Sequence, residues 1–296
     1  MMATDSLEPP RKNFFSRVFS LLSERNPFLE IRETSEIIRY EFKRIILTLK
    51  FFIALSFVLL PAIIFLNSIA SDYEALLLDF GVDAFRNFSA AGFVNIGQFL
   101  LQMIGIMLTL DSFGKVADDS MKRYFALPVR KTNLYVAHAV TAFLGTILTG
   151  LIGIIVFNLI LWIWTGVSLT FLLILKSFFL ISAGAFLAIS ITTLFVIIAN
   201  FFGFSSSIAI VPTLFIFYII PFLVNFVTAF AFGLPEAYQW TFMYQLAVAT
   251  DFMIEPFIGL QQSLEQVANR NAWLIVGLIS GFSQIFSLII FAGSEK

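Results

Sequence analysis

DSFGKVADDSMKRYFALPVRKTN, residues 111–133, is a polar island between two long apolar segments. At about 100° per residue, Val116, Ala117, Ser120, Met121, Tyr124 and Phe125 share one side of a helix. Lys115, Asp118, Asp119, Lys122 and Arg123 share the other. Lys115–Asp119 and Asp118–Lys122 are opposite charges at helical spacing, each supporting an exposed face by about 0.2–0.5 kcal/mol. Pro128 stops the helix, and Arg130 and Lys131 add positive charge before the apolar sequence resumes. The stretch therefore reads as a short amphipathic helix lying against a membrane. Its apolar side, with Val116, Met121, Tyr124 and Phe125, is the anchor, and its polar side faces the cytosol. A plain positive loop is the simpler reading. The sharper one is a docking helix that receives force from a soluble partner.

The composition requires a membrane. Hydrophobic residues make up 59% of the 296, and charged residues 12%, where a soluble chain carries about 25%. Mean hydropathy is +0.93. The net charge of −1 matters less than where the charges lie. No Cys is present, which excludes disulfides and thiolate metal sites, and a single His excludes a histidine metal cluster. More than 40 mostly polar residues precede the first span, so no cleavable signal peptide is expected.

Taken in order, residues 1–44 read as cytosolic or interfacial. Phe14, Phe15, Val18, Phe19, Leu21 and Leu22 suit a short interfacial helix. In residues 28–44, Ile31, Thr34, Ile37, Ile38 and Phe42 form one face, continued by Ile45 and spoiled only by Glu41. Arg32, Glu36, Arg39 and Lys43 form the opposite face. Such a helix is expected to lie in the headgroup plane and turn sharply into the first span. Six spans are expected within residues 45–292, at about 45–70, 92–110, 134–163, 169–199, 208–232 and 272–291. Pro61 is expected to kink the first, and Pro212 and Pro221 lie in the fifth. The stretch 71–91 reads as a connection. Residues 233–271 are too apolar for a free loop and read as short helices half-sunk in the interface. The fold class is an all-α integral membrane protein with a cytosolic tail at 293–296.

Orientation follows from Lys and Arg. Residues 1–50 hold nine, the island five and the tail one, while the connections at 71–91 and 233–271 hold only Arg86 and Arg270. The positive-inside rule then puts both termini and the island in the cytosol, and the plasma membrane of the cell is the expected location. The remaining cation, Lys176, lies about two turns inside the outer end of the fourth span, where snorkelling to the headgroups is its ordinary role.

Catalytic chemistry is missing. Within the six spans the only acid is the boundary residue Asp111, and His138 stands alone near the start of the third. Intramembrane catalysis needs paired acids, a His–Glu set or a metal. No GxxxxGK[ST] run is present to cradle a nucleotide. The chain is expected not to be an enzyme, to need no cofactor or metal and to bind no nucleic acid. It reads as a passive body driven by something else. Small residues recur at helix-contact spacing: Gly145, Thr149 and Gly153 on the third span, Gly184 and Ala188 on the fourth, and Gly277 and Gly281 on the sixth. Packing within the bundle accounts for most of these and a dimer seam for one.

The order of parts resembles a type-2 ABC transporter permease, the membrane half of an ATP-driven exporter. The resemblance spans nearly the whole chain: the amphipathic elbow 28–44, six spans, a charged helix between the second and third that ends in Leu127-Pro128-Val129-Arg130-Lys131, and a half-buried connection before the last. Asp111 and Pro128 sit at the family's distances, and Lys131 stands where Arg is usual. Asp119-Ser120 replaces the usual Gly-Thr pair, the family's Glu has no counterpart, and His138 stands where a Lys commonly begins span three. The resemblance implies that 112–126 is a coupling helix fitting a groove on a separate ATP-binding cassette subunit. It also implies that two permeases, alike or different, form the translocation path within membrane lipid. A path lined by Phe, Leu, Ile and a few Ser, Thr and Asn suits an amphiphile or lipid-linked cargo better than a small ion. A membrane assembly or scaffold subunit without transport is the alternative.

Overall fold

The structure is a computed structural model, and it describes residues 27–48, 51–53, 55–56, 60, 63–64, 73–117, 131–227, 242–254 and 262–293. Among these residues there are helices and turns and no strand. The helices are α1 (Pro27–Ile46), α2 (Tyr73–Ala117), α3 (Lys131–Thr165), α4 (Phe171–Phe201), α5 (Ile210–Leu214), α6 (Ile220–Val227), α7 (Phe242–Ile254) and α8 (Gln262–Gly293). Five stretches are long and apolar enough to cross a membrane: Gly81–Gly114, Thr132–Thr165, Phe171–Phe201, Ser206–Val224 and Arg270–Gly293. That is the build of a multi-pass membrane protein. Much of the expected first span, 45–70, lies outside the described residues.

In lipid, every polar group must find a partner inside the protein. The hydroxyls of Thr141, Thr146 and Thr149 on α3 donate to carbonyls one turn back at 2.7–2.8 Å, as do those of Thr192 and Thr193 on α4. Satisfied in this way, they can lie in helix contacts at little desolvation cost.

Side-chain contacts set the register. Arg86 Nε donates to Ser168 O at 2.9 Å and Gln98 Nε2 to Leu180 O at 3.3 Å, each across 82 residues. A Cβ at Gly105 would lie 3.0 Å from Ile189 Cγ1, and one at Gly184 would lie 3.3 Å from Gln102 Nε2. Numbers rise together along both helices, so α2 and α4 run parallel. α3 is antiparallel to them. Phe93 stacks on Phe157 with ring centroids 4.6 Å apart. Further along, a Cβ at Gly150 would meet Leu101 Cδ2 at 2.8 Å and one at Gly145 would meet Leu108 Cδ1 at 3.1 Å. α8 runs parallel to α4, through Phe179–Trp273 and Ser190–Gln284. The main core lies between α2, α3 and α4, with Phe93, Leu101, Ile154, Phe157 and Leu180 almost fully enclosed.

Two turns need glycine. Gly166 (φ 72°) lets the chain leave α3, and Thr170 caps α4 by accepting from Leu173 N at 3.3 Å. At the other end of α4, Gly203 (φ 78°) closes a Schellman turn, with Phe204 N bonded to Ala199 O at 2.8 Å and Gly203 N to Asn200 O at 3.1 Å. The stretch Ser206–Val224 is irregular for a covalent reason. Pro221 has no N–H, and its ring would strike the carbonyl four residues back. The helix widens just before it into a π turn, Phe215–Ile219, where Ile220 N bonds to Phe215 O.

Some expected boundaries move. The stretch 71–91 is not a connection: α2 begins at Tyr73, turns at Gly81 (φ 82°, ψ 168°) and continues past Asp111 to Ala117. Phe85, Ser89 and Ala90 give this stretch a buried face, while Glu74, Asp79 and Asp83 stay exposed. Counting its acids hid that face. α8 starts at Gln262, before the expected 272. Between the fifth span and α8, α7 belongs to the bundle, because Leu246, Ala249, Thr250 and Ile254 are buried. α1 does not stay at the bundle end. Ile37 packs there against the cluster of Phe113, Leu134 and Tyr135. Ile45 reaches Gly145, about 21 Å along α3 from Lys131.

Of the five glycines proposed for packing, Gly145 and Gly184 face neighbouring helices closely and Gly153 is buried. Gly277 and Gly281 differ: a Cβ at either meets nothing within 4 Å. Their spacing serves no close contact among the described residues. Gly105→Leu should therefore push a side chain into the stiff, β-branched Ile189 and cost about 1–3 kcal/mol. Gly281→Leu should leave the unfolding temperature of the detergent-solubilised monomer unchanged. Equal losses in the two variants would contradict this register.

Candidate functional site

The helix directions bring one set of ends together. α2 ends, α3 begins, and α4 and α8 end on the same side of the bundle, where α1 also packs. The turn after α4 joins them, since a Cβ at Gly114 would lie 3.7 Å from Ser206 Cβ. Cations mark this end on α1, with Arg32, Arg39, Lys43 and Arg44, and Lys131 opens α3.

Its centre is a charged cluster that reading the sequence missed. Arg44 Nη2 lies 2.6 Å from Glu41 Oε2 and 3.9 Å from Asp111 Oδ2. Glu41 is 1% exposed. Asp111 is 11% exposed and Arg44 28% at their side chains. The residue that seemed to spoil the apolar face of α1 is thus its buried anchor. A guanidinium keeps its charge in nearly any surroundings, so it can hold two carboxylates from different helices. The cluster fastens α1 to α2 within a turn or two of Ala117. The signal was present: an acid on an apolar face, a base three residues later, and an acid at the end of a span.

Beside it lies a ring cluster. Phe113 on α2 meets Tyr135 (5.6 Å) and His138 (5.7 Å) on α3, and Tyr135 meets Phe291 on α8 (5.8 Å). His138 is 3% exposed, so it is enclosed by the bundle. The Tyr135 hydroxyl sits between the backbone and side-chain oxygens of Gln284. Gln284 Nε2 donates to Ser190 Oγ at 3.2 Å. One polar chain therefore ties α3, α8 and α4.

Between these fastened helices lies the polar island. Lys115 and Val116 belong to the last turn of α2, so the helix of the second span runs on into the island instead of ending at Asp111. Asp118, Asp119, Met121, Lys122, Arg123, Tyr124, Phe125 and Pro128 lie outside the described residues. The ends of the island are nevertheless placed. α2 and α3 pack antiparallel from Phe93–Phe157 to Phe113–His138, so Ala117 and Lys131 leave the bundle side by side. The two helices are clamped to each other and to α1.

No group of three or more His, Cys, Asp or Glu among the described residues could hold a metal ion. The charges of the cluster are directed at one another and fix α1 to α2.

Arg44→Gln leaves Glu41 enclosed without its guanidinium. The variant should lose about 2–3 kcal/mol, less than the roughly 3–5 kcal/mol of a fully enclosed pair, because Arg44 reaches solvent. Glu41→Gln/Arg44→Gln should recover much of that loss. Thermal unfolding in detergent reads both, and a double variant as weak as the single one would remove the cluster from this role.

Compared with known proteins, the chain matches no family model and no curated protein. What this end of the bundle does must be argued from its own residues.

Proposed function

We propose that the chain is the permease subunit of an ABC exporter, driven by a separate ATPase that grips the island at 112–126. The observation that carries this reading is the clamped pair of helix ends at Ala117 and Lys131. A force-receiving loop is useful only when it is attached to stiff elements. Here the attachment combines a guanidinium between two carboxylates, a ring cluster and close glycine contacts at Gly145 and Gly150. The island supplies a two-sided helix pattern, with Lys115, Asp118, Asp119, Lys122 and Arg123 presented to the partner.

In this reading the charged end is cytosolic, since it carries the cations of α1 and of the island. Both termini lie on that side in the plasma membrane, and the expected first span completes six. A second permease lines the other half of the path. A path lined by Phe, Leu, Ile and a few Ser, Thr and Asn favours an amphiphile or lipid-linked cargo over a small ion.

Reversing Lys122 and Arg123 to Glu tests the coupling role. The change leaves the apolar anchor of the island intact, and the nine cations of residues 1–50 still set orientation. Insertion and unfolding temperature should therefore persist. ATPase binding should weaken by about 2–5 kcal/mol, because like charges then face each other across the interface. Stimulated ATP hydrolysis should fall with it. A variant that inserts, binds the ATPase and exports normally would reduce the island to a solvated loop.

A further inference from the structure

At the opposite end of the bundle from the charged cluster, α3, α4 and α7 border a groove of about 670 Å³. Phe143 and Ile147 come from α3, Phe179, Ala183 and Phe186 from α4, and Met253 from α7. The groove presents no polar surface. Its one hydroxyl, on Ser182, is turned to Phe178 O at 2.7 Å. Phe143 and Phe186 close it edge to face at 5.3 Å. Phe179, braced on Trp273, stands 54% exposed at its lip. The groove is therefore open to the surroundings of the bundle along α4.

One charged residue lines it, Lys176, and no carboxylate among the described residues pairs with it. Since no polar surface faces the groove, Lys176 contributes its aliphatic stem and directs its ammonium beyond the groove. Phe171, the first residue of α4, is only about 7.5 Å from Lys176 along the axis, within reach of the headgroup layer for a snorkelling lysine. Phe186 stands at the midpoint of α4. From Lys176 to Phe186 is about 15 Å, half of a hydrocarbon core about 30 Å thick. The groove thus spans one leaflet, with a cation at the headgroup end and rings at the midplane.

We infer that this groove is a binding site for a bilayer phospholipid with an anionic headgroup, one acyl chain lying along α4 and the phosphate region held by Lys176. Length, apolarity and charge each match that occupant. A second protein chain would leave the ammonium facing apolar surface, and a neutral lipid would use the groove without using the cation. The inference does not depend on the island or on ATP-driven transport. In the orientation given above, the site lies in the outer leaflet.

Native mass spectrometry of the purified full chain, titrated with phosphatidylglycerol or phosphatidylcholine of identical chains, tests it. The wild type should retain phosphatidylglycerol about five-fold more tightly, the factor given by about 1 kcal/mol for one lysine near anionic headgroups. Lys176→Gln should erase the preference while still binding phosphatidylcholine. Ala183→Trp, which fills the groove, should weaken both lipids. Equal binding of the two lipids by the wild type, or an undiminished preference in Lys176→Gln, would overturn the assignment. The lysine variant decides the matter even where the tryptophan variant fails to fold.

Discussion

The parallel contact of α2 and α4 is the constraint on which the rest depends. Two helices from non-adjacent parts of the chain lie close enough for Gly105 to touch Ile189 and Gly184 to touch Gln102. In lipid no bulk hydrophobic force pushes helices together, so close backbone approach and satisfied polar groups have to supply the association. Once α2 and α4 are in register, α3 must return antiparallel between them. The ends carrying Asp111, His138 and Gln284 then gather on one side. Arg86, reaching Ser168 O, fixes the same register from the far end.

This geometry gives the two ends different characters. One end holds paired charges, a ring cluster and a polar chain that together fasten α1, α2, α3, α4 and α8. The other holds the exposed Arg86–Asp83 pair, the turn at Gly166 and an apolar groove lined by one lysine. Buried polar groups in a bilayer-spanning bundle are costly unless they are paired. The enclosed carboxylate Glu41, paired with Arg44, therefore marks the end where rigidity matters. Exceptions exist: Gln102, fully enclosed opposite Gly184, and the buried hydroxyls of Ser89, Ser112, Ser177 and Ser280 have no hydrogen-bond partner among the described residues.

The helical class and the presence of several apolar, span-length helices were legible in the sequence, because long apolar runs leave little choice in lipid. α3, α4 and the fifth span begin within about three residues of their expected starts, a normal margin for helix ends. The failures share a cause. Acids were counted as loop markers without asking which face they occupied. That hid the first part of α2, where Asp79 and Asp83 stay exposed while Phe85 is buried, and it made Glu41 look like a defect. Gly277 and Gly281 have the expected spacing but no neighbour within 4 Å of an added Cβ among the described residues, so the contact expected there is not one within the described bundle. Which helix meets which is a tertiary fact that local spacing does not carry. The island, whose pattern was read most sharply, has its ends placed by the fold and its middle defined by sequence alone.

The central claim is that residues 112–126 face the cytosol and are gripped by an ATPase. The chain has no native Cys, so the single substitution Lys122→Cys introduces one thiol that can carry a cleavable crosslinker in native membranes. The account predicts modification of that thiol from the cytosolic side only and a crosslink to a nucleotide-binding subunit that forms and breaks with ATP turnover. Modification from the external face, or a cytosolic thiol that captures no ATPase from membranes active in export, would contradict it.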